Sequence, residues 1–303
     1  MLEHNRSSLL DRLEPGQQAM LRSQAGTGAG DWLLAIPSSD MLRLPDNLFL
    51  LVLRRRVFLE LPLAGSACKA CSEELDAFGH HLLSCTRSGW LKRRAAGLEK
   101  AWVQVLSEAG ANAQHRPLLR DLAIPGVLDT DSRQLDLVAS GLFFFGGKRI
   151  VGDATLRSPV SSRGVPHGQT STQGGAATTD GFIFAQARRD KAVAYPELAA
   201  ETARHKFLVL GTEVGGRFSE ECVDLIRKCV ELKAQHLSNS EKSCSSLFTI
   251  GAGGASCLPE HNEQSLARAE EEATKIWEEI NSEDSPCGGI TSLGALGGAW
   301  IWI

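Results

Sequence analysis

The sequence predicts an α/β (α+β) protein: a small mixed sheet flanked by helices, preceded by a helical linker and a compact cysteine–histidine module. Three observations carry this expectation. Apolar residues recur at helical spacing over residues 90–109, and the period changes after Pro117 to strand-like alternation at Arg133-Gln134-Leu135-Asp136-Leu137-Val138. A buried-type strand, Lys206 to Val214, then follows a helix and a loop. Finally, Cys68, Cys71, His80, His81 and Cys85 crowd into a short segment with metal-ligand spacing.

The 303 residues suffice for about two domains. A hydrophobic share of 43% and a net charge of −4 exclude a chain that binds polyanions through a global basic field. Local basic patches are therefore the places to look, and Arg54-Arg55-Arg56, Lys92-Arg93-Arg94 and Arg188-Arg189 are the candidates. No signal-type apolar core stands at the N-terminus and no apolar run reaches membrane-span length, so an intracellular protein is expected. In that setting eight cysteines suggest metal binding more than disulfides.

Residues 1–64 read as helical pieces. Gly26 to Gly30 forms a flexible turn, lacking the Lys-Ser/Thr ending of a phosphate loop, and Leu48 to Leu61 a buried helix with one basic edge. Residues 65–89 hold the cysteine–histidine module. A helix over Trp90 to Ala109 presents Leu91, Leu98, Trp102, Val105 and Leu106, and Gly110 stops it. The Gly146-Gly147 pair turns a hairpin between Leu142–Phe145 and Lys148–Leu156. Ser161 to Thr179 is Ser/Gly/Gln/Thr-rich and reads as a mobile loop, and a helix follows from about Phe182 to Leu198. Ser219 caps a helix whose apolar face holds Cys222, Leu225, Ile226 and Cys229, the cysteines serving as core residues. Residues 238–303 form a low-definition tail with one amphipathic helix, roughly Glu263 to Ile280. The domains are thus 1–64, 65–89, 90–237 and the tail.

Two cysteines separated by two residues aim both thiolates at one ion, and a returning histidine and cysteine complete the tetrahedron that zinc prefers. The spacing fits C-x2-C-x9-H-x3-C with His81 or C-x2-C-x8-H-x4-C with His80. A closed four-ligand site is structural, with no open position for catalysis. A second constellation is distributed. Asp136 and Asp153 are acids embedded in apolar strands, costly there unless paired or bound to a cation, and on neighbouring strands they can share Mg²⁺. Lys191 and Tyr195 lie four apart on the following helix and share a face, which suits a lysine that activates water or neutralises charge and a tyrosine that holds a phosphate oxygen.

Cys68-x2-Cys71, with Asp76-Ala77-Phe78-Gly79-His80-His81-Leu82-Leu83-Ser84-Cys85, resembles the zinc knuckle that follows reverse transcriptase in site-specific non-LTR retrotransposons. That resemblance selects His81 over His80. Arg133-x2-Asp136-Leu137-Val138, Gly152-Asp153-Ala154-Thr155-Leu156-x-Ser158-Pro159, Lys191-x3-Tyr195 and Glu213-Val214-Gly215-Gly216-Arg217-Phe218-Ser219 resemble the restriction-like endonuclease of the same elements, in the same order, over roughly residues 25–236. The resemblance implies a PD-(D/E)XK-type core and a linker that lies downstream of a polymerase. It implies structural Zn²⁺ on Cys68, Cys71, His81 and Cys85, and catalytic Mg²⁺ on Asp136 and Asp153. Lys191 and Tyr195 complete the catalytic set, and Glu213 is a further candidate for metal or cap work. The expected activity is nicking of target DNA, with DNA and element RNA as partners and the nucleus as the place of action; the alternative is an inactive nucleic-acid-binding remnant. Leu135 stands where the family commonly has Pro, and Ala154-Thr155 follow Asp153, so Lys191 must replace the lysine of a D-x-K motif from the helix. For the glutamate often found in the first helix region, the chain offers Glu108 or Gln114. It contains no Asp-Asp pair, which excludes reverse transcription by this chain alone.

Overall fold

The computed structural model describes residues 2–33, 43–62, 65–169 and 174–236. The expected tail helix at Glu263 to Ile280 lies outside the described residues. Helices α1 (Leu2–Leu10), α2 (Pro15–Gln24) and α3 (Asp46–Arg56) precede the short α4 (His80–Ser84) and the long α5 (Trp90–Glu108). Strands β1 (Asn112–His115), β2 (Leu137–Ser140) and β3 (Arg149–Arg157) follow, then α6 (Phe182–Ala194), α7 (Pro196–Ala200), β4 (His205–Glu213) and α8 (Glu220–His236). Among the described residues no helix is long and apolar enough to cross a membrane.

The chain is α/β, with a four-stranded mixed sheet in the order β1-β2-β3-β4. The first three strands are antiparallel neighbours, and β4 joins β3 in parallel. A parallel pair cannot be closed by a tight turn, and the crossover over residues 158–204 carries α6 and α7. Strand β3 is an inner strand, like β2, and is buried along Ile150 to Ala154 because helices cover both of its faces. Ile150 and Ala154 face the larger core with Leu98, Trp102 and Leu106 of α5 and Leu225 of α8. The alternate residue Val151 faces a second cluster with Leu119, Val138 and Leu198. At Gly152 an added Cβ would come within 2.7 Å of the Leu137 side chain, so the strand pair needs glycine there.

Several expectations are corrected. Leu142–Phe145 is not a strand. Gly141 turns the chain out with φ 91°, and Phe144–Gly147 forms a 3-10 turn with positive φ at Phe145, Gly146 and Gly147. Leu142 is buried beneath this turn and Phe143 is exposed, so the apolar run anchors a loop, a use that short periodicity does not separate from a strand. Asn112–His115, too short and polar to signal itself, pairs with β2 as an edge strand. The helix expected to run to Leu198 breaks at Tyr195 (φ −131°, ψ 63°), because the residue before Pro196 is pushed out of helical geometry. The stretch at 161–179 is tied down where described: the Ala176 amide donates to the His167 carbonyl at 2.8 Å, and Val160 and Ala176 are buried. The glycine turn at 26–30 is likewise packed, with Ala29 buried and its amide bonded to Gly26.

The N-terminal helices are fastened to the end of β4. The Gly215 amide donates to Ser23 Oγ at 2.8 Å, the Arg217 amide donates to the Ser23 carbonyl at 3.0 Å, and the Arg217 side chain donates to the Arg22 carbonyl. Ala19 and Met20 of α2 share a core with Leu83 of α4 and with Val214. A Cβ at Gly215 would overlap the Ser23 side chain and backbone. Gly215→Ala is therefore expected to destabilise the fold by about 1–3 kcal/mol, the usual penalty of overpacking. Limited proteolysis should then cut residues 2–33 first, and a variant that melts and digests like the wild type would show that the contact is dispensable.

Candidate functional site

The structure forms two candidate sites. In the first, the chain turns at Lys69-Ala70 so that Cys68 and Cys71 face one point, and α4 returns His81 and Cys85 to it. The ligand atoms of Cys68, Cys71, His81 and Cys85 all lie within 4.8 Å of one another. Cys68 and Cys85 sulfurs are 4.0 Å apart, Cys85 and Cys71 sulfurs 3.9 Å, and Cys71 Sγ is 3.1 Å from His81 Nε2. A disulfide needs about 2.05 Å. A tetrahedron with Zn–S of about 2.3 Å has edges of roughly 3.8 Å, so the set has the size of a metal tetrahedron. The cluster can hold a metal such as zinc.

Asp76 builds this geometry. Its Oδ1 accepts the Phe78 and His80 amides and its Oδ2 the His81 amide at 2.7 Å, which fixes the first turn of α4. The other nitrogen of His81, Nδ1, lies 3.4 Å from Glu73, an outer carboxylate that orients the ring. Burial raises the Cys68 thiol, but the Ala70 and Cys71 amides and the Cys71 and His81 side chains outweigh it and bring it to about 7, favouring the thiolate a metal requires. His80 points elsewhere, its ring against Gly164. Cys222 and Cys229 are core residues, and burial pushes their thiols up to about 12 and about 11.

The second site is acidic. Leu137 pairs with Gly152, and extending that register by one residue sets Asp136 opposite Asp153 on the face that α6 covers. Asp153 is 1% exposed, and Lys191 of α6 reaches it at 2.8 Å from Nζ to Oδ2. Its Oδ1 is buried without a hydrogen-bond partner. Asp136 Oδ2 accepts the Ala154 amide at 2.7 Å. Burial, then the Asp153 charge, then Glu99 push the Asp136 carboxyl up to about 7. Burial also raises Asp153, against the pull of Lys191.

Glu99 is the residue that sequence reasoning missed. It is buried on α5, bonded to Arg116 Nε at 2.8 Å and His115 Nε2 at 3.0 Å, and its charge acts on both aspartates. A signal existed: Glu99 stands three and seven residues before Trp102 and Leu106, an acid on the apolar stripe of a helix. The two positions named for this role are elsewhere, Glu108 exposed and paired with Lys233, Gln114 exposed on β1.

Tyr195 lies close enough for both aspartates to act on it, and burial first, then their charges, hold its phenol up at about 12. Its hydroxyl donates to the Gln134 carbonyl at 3.1 Å. Arg133 is locked by Asp131 and Glu197 and stacks on the Tyr195 ring at 5.8 Å, so it braces the site. Glu213 is away from the sheet acids in these contacts. It is buried beside Ser23 and Arg217, raised to about 7 chiefly by burial, and α8 begins only at Glu220. Compared with known proteins, the chain matches no family model and no curated protein.

Two outcomes are expected. His81→Ala and Cys71→Ser should lose bound zinc while His80→Ala keeps it; equal zinc content in the two histidine variants would remove His81 from the ligand set. The second concerns Asp136, whose folded carboxyl titrates near 7 against an ordinary value of 3.8. Below the ordinary value both states are protonated and the group contributes nothing. As pH rises, the unfolded chain ionises first, so the acid destabilises the fold progressively until its own titration near 7 and fully above it. Asp136→Asn should thus gain stability over wild type, nothing at pH about 3 and on the order of 2 kcal/mol by pH about 8. Denaturant melts at several pH values, without added divalent metal, test this; a gain independent of pH would refute it.

Proposed function

We propose that this chain is the zinc-knuckle and restriction-like endonuclease region of a non-LTR retrotransposon polyprotein, and that it nicks DNA by metal-dependent phosphodiester hydrolysis. One observation carries the reading. A sealed aspartate with an orphaned oxygen stands opposite a second aspartate and is met by Lys191, which comes from the crossover helix instead of from the strand. Such a constellation is costly as mere scaffolding, because Asp153 is buried and its charge, added to desolvation, raises the half-buried Asp136.

The element order α5-β1-β2-β3-α6-α7-β4, with Asp153 on β3, Asp136 just before β2 and Glu99 on the preceding helix, supports a PD-(D/E)XK-type core. Asp153 through its unbonded Oδ1, with Asp136, would hold a Mg²⁺ ion, and Glu99 adds negative potential from α5. The ion would supply Lewis acidity for the phosphate and a more acidic water. Lys191, able to leave Asp153 for an entering anion, positions the attacking water or offsets charge on the phosphate oxygens. Tyr195 and Arg133 hold the α6 end against Gln134 and so fix the lysine's approach. The cysteine–histidine cluster, as a zinc knuckle, anchors the nucleic acid, and the chain would act in the nucleus.

One observation favours the second reading, a nucleic-acid-binding remnant without cleavage. Among the described residues, no three acids bring their oxygens within 4.8 Å of one another as the cysteine–histidine set does. Plasmid nicking with Mg²⁺ separates the two. The nuclease reading expects activity that falls to background in Asp153→Ala, and by about a hundredfold or more in Lys191→Ala and Glu99→Gln. A folded, zinc-loaded wild type that binds the plasmid without nicking it would establish the remnant instead.

A further inference from the structure

The two basic triplets each turn one arginine inward. In the first, Arg54 donates to the Glu60 carbonyl, and Arg56 donates to the Ala29 and Gln24 carbonyls and lies over the Trp32 ring. Arg55 turns the other way. Among the described residues its Nη2 meets Met20 Sδ at 3.9 Å, a weak acceptor, and its Nε is buried without a partner. In the second triplet, Arg94 donates from Nη2 to the Leu83 carbonyl at 2.7 Å, while its Nε and Nη1 are buried and unbonded.

The charge of Arg94 acts on Arg55. Burial first, then Arg94, brings Arg55 down to about 9, and burial brings Arg94 to about 10. The acid that acts on Arg55 is Asp76, but both of its oxygens already accept the amides of Phe78, His80 and His81. On α4, His80 Nδ1 and Ser84 Oγ, one helical turn apart, are also buried without partners, and His80 feels the Arg55 charge. Among the described residues, the junction of α3, α4 and α5 therefore gathers unbonded polar atoms dominated by the N–H donors of Arg55 and Arg94, with Asp76, already holding three amides, as the acid that acts on Arg55. Two like charges so placed are expensive alone, and an oxyanion resolves both the charge and the donors, for which the arginine fork is the fitting geometry.

We propose that Arg55 and Arg94, with Ser84 beside them, form a binding site for a phosphate group, and that its natural source is a backbone phosphodiester of the nucleic acid. The source rests on the nucleic-acid reading above; the site does not. Arg94 and Glu99 share α5, five residues or about 7.5 Å of helix rise apart.

The test uses the full, zinc-loaded chain. Thermal melts compare inorganic phosphate with chloride at equal ionic strength, and anisotropy follows a short labelled DNA at several salt concentrations. Phosphate should raise the wild-type melting temperature. Arg55→Met should be at least as stable as wild type in chloride, because a repelling charge is gone, and should lose the phosphate effect. Its DNA affinity should fall several-fold and its log–log salt slope by about one. Arg94→Lys, which keeps charge and loses the fork, should weaken the phosphate effect and provides the comparison if Arg55→Met does not fold. A phosphate effect with an unchanged DNA salt slope keeps the site and overturns the nucleic-acid source. No phosphate effect in wild type, or an equal one in every variant, overturns the site. None of these readouts involves cleavage, so loss of the nuclease reading leaves them intact.

Discussion

The contact between Lys191 and Asp153 is the interaction around which the fold is arranged. A carboxylate that is 1% exposed on an inner strand is tolerated only with a counter-charge at hydrogen-bond distance, and 2.8 Å from Lys191 supplies it. That requirement fixes where α6 crosses the sheet, since Lys191 must arrive on the face opposite α5 and α8. The break at Tyr195 ends α6 one turn later, and Arg133 then locks that end to the β2 approach through Glu197 and the Ala194 carbonyl.

Around this pair the remaining electrostatics divide into satisfied and unsatisfied groups. Glu99 is answered by Arg116 and His115, and Asp180 by Arg6, Arg22 and Arg217. Asp153 Oδ1, Arg55 Nε and two nitrogens of Arg94 are among the charged-group atoms left unanswered by the described residues, against the rule that buried groups are paired. The unanswered acceptor calls for a cation and the unanswered donors call for an anion. A net charge of −4 conceals this local polarity, because the averaging is over the whole chain.

The N-terminal segment, though it reads as a linker, is part of the same body. Helix α2 closes over the end of β4 through Ser23 and buries Met20 against the α4 side of the metal module. The module is too small to carry an apolar core of its own, its own buried cluster being Cys68, Leu75 and Cys85, so it leans on the neighbouring helices and on whatever metal its ligand set can hold.

The sequence alone determined what depends on short range. The ligand spacing of Cys68, Cys71 and Cys85, the span of α5, the strand around Asp153 and the strand at His205–Glu213 follow from local turns and periodicity, and they stand close to where the residues place them. Spacing alone left His80 and His81 equivalent, the resemblance favoured His81, and the Asp76-capped turn of α4 points the His81 ring at the sulfurs and the His80 ring at Gly164. Tertiary structure likewise decided that Glu99 and not Glu108 stands near the aspartates, that Phe143 sits on a loop, and that one arginine of each basic triplet turns inward. The physical reason is common to these cases. A side chain's partner across dozens of residues is set by how helices pack on the sheet, and no local pattern encodes the direction in which a long side chain is finally drawn.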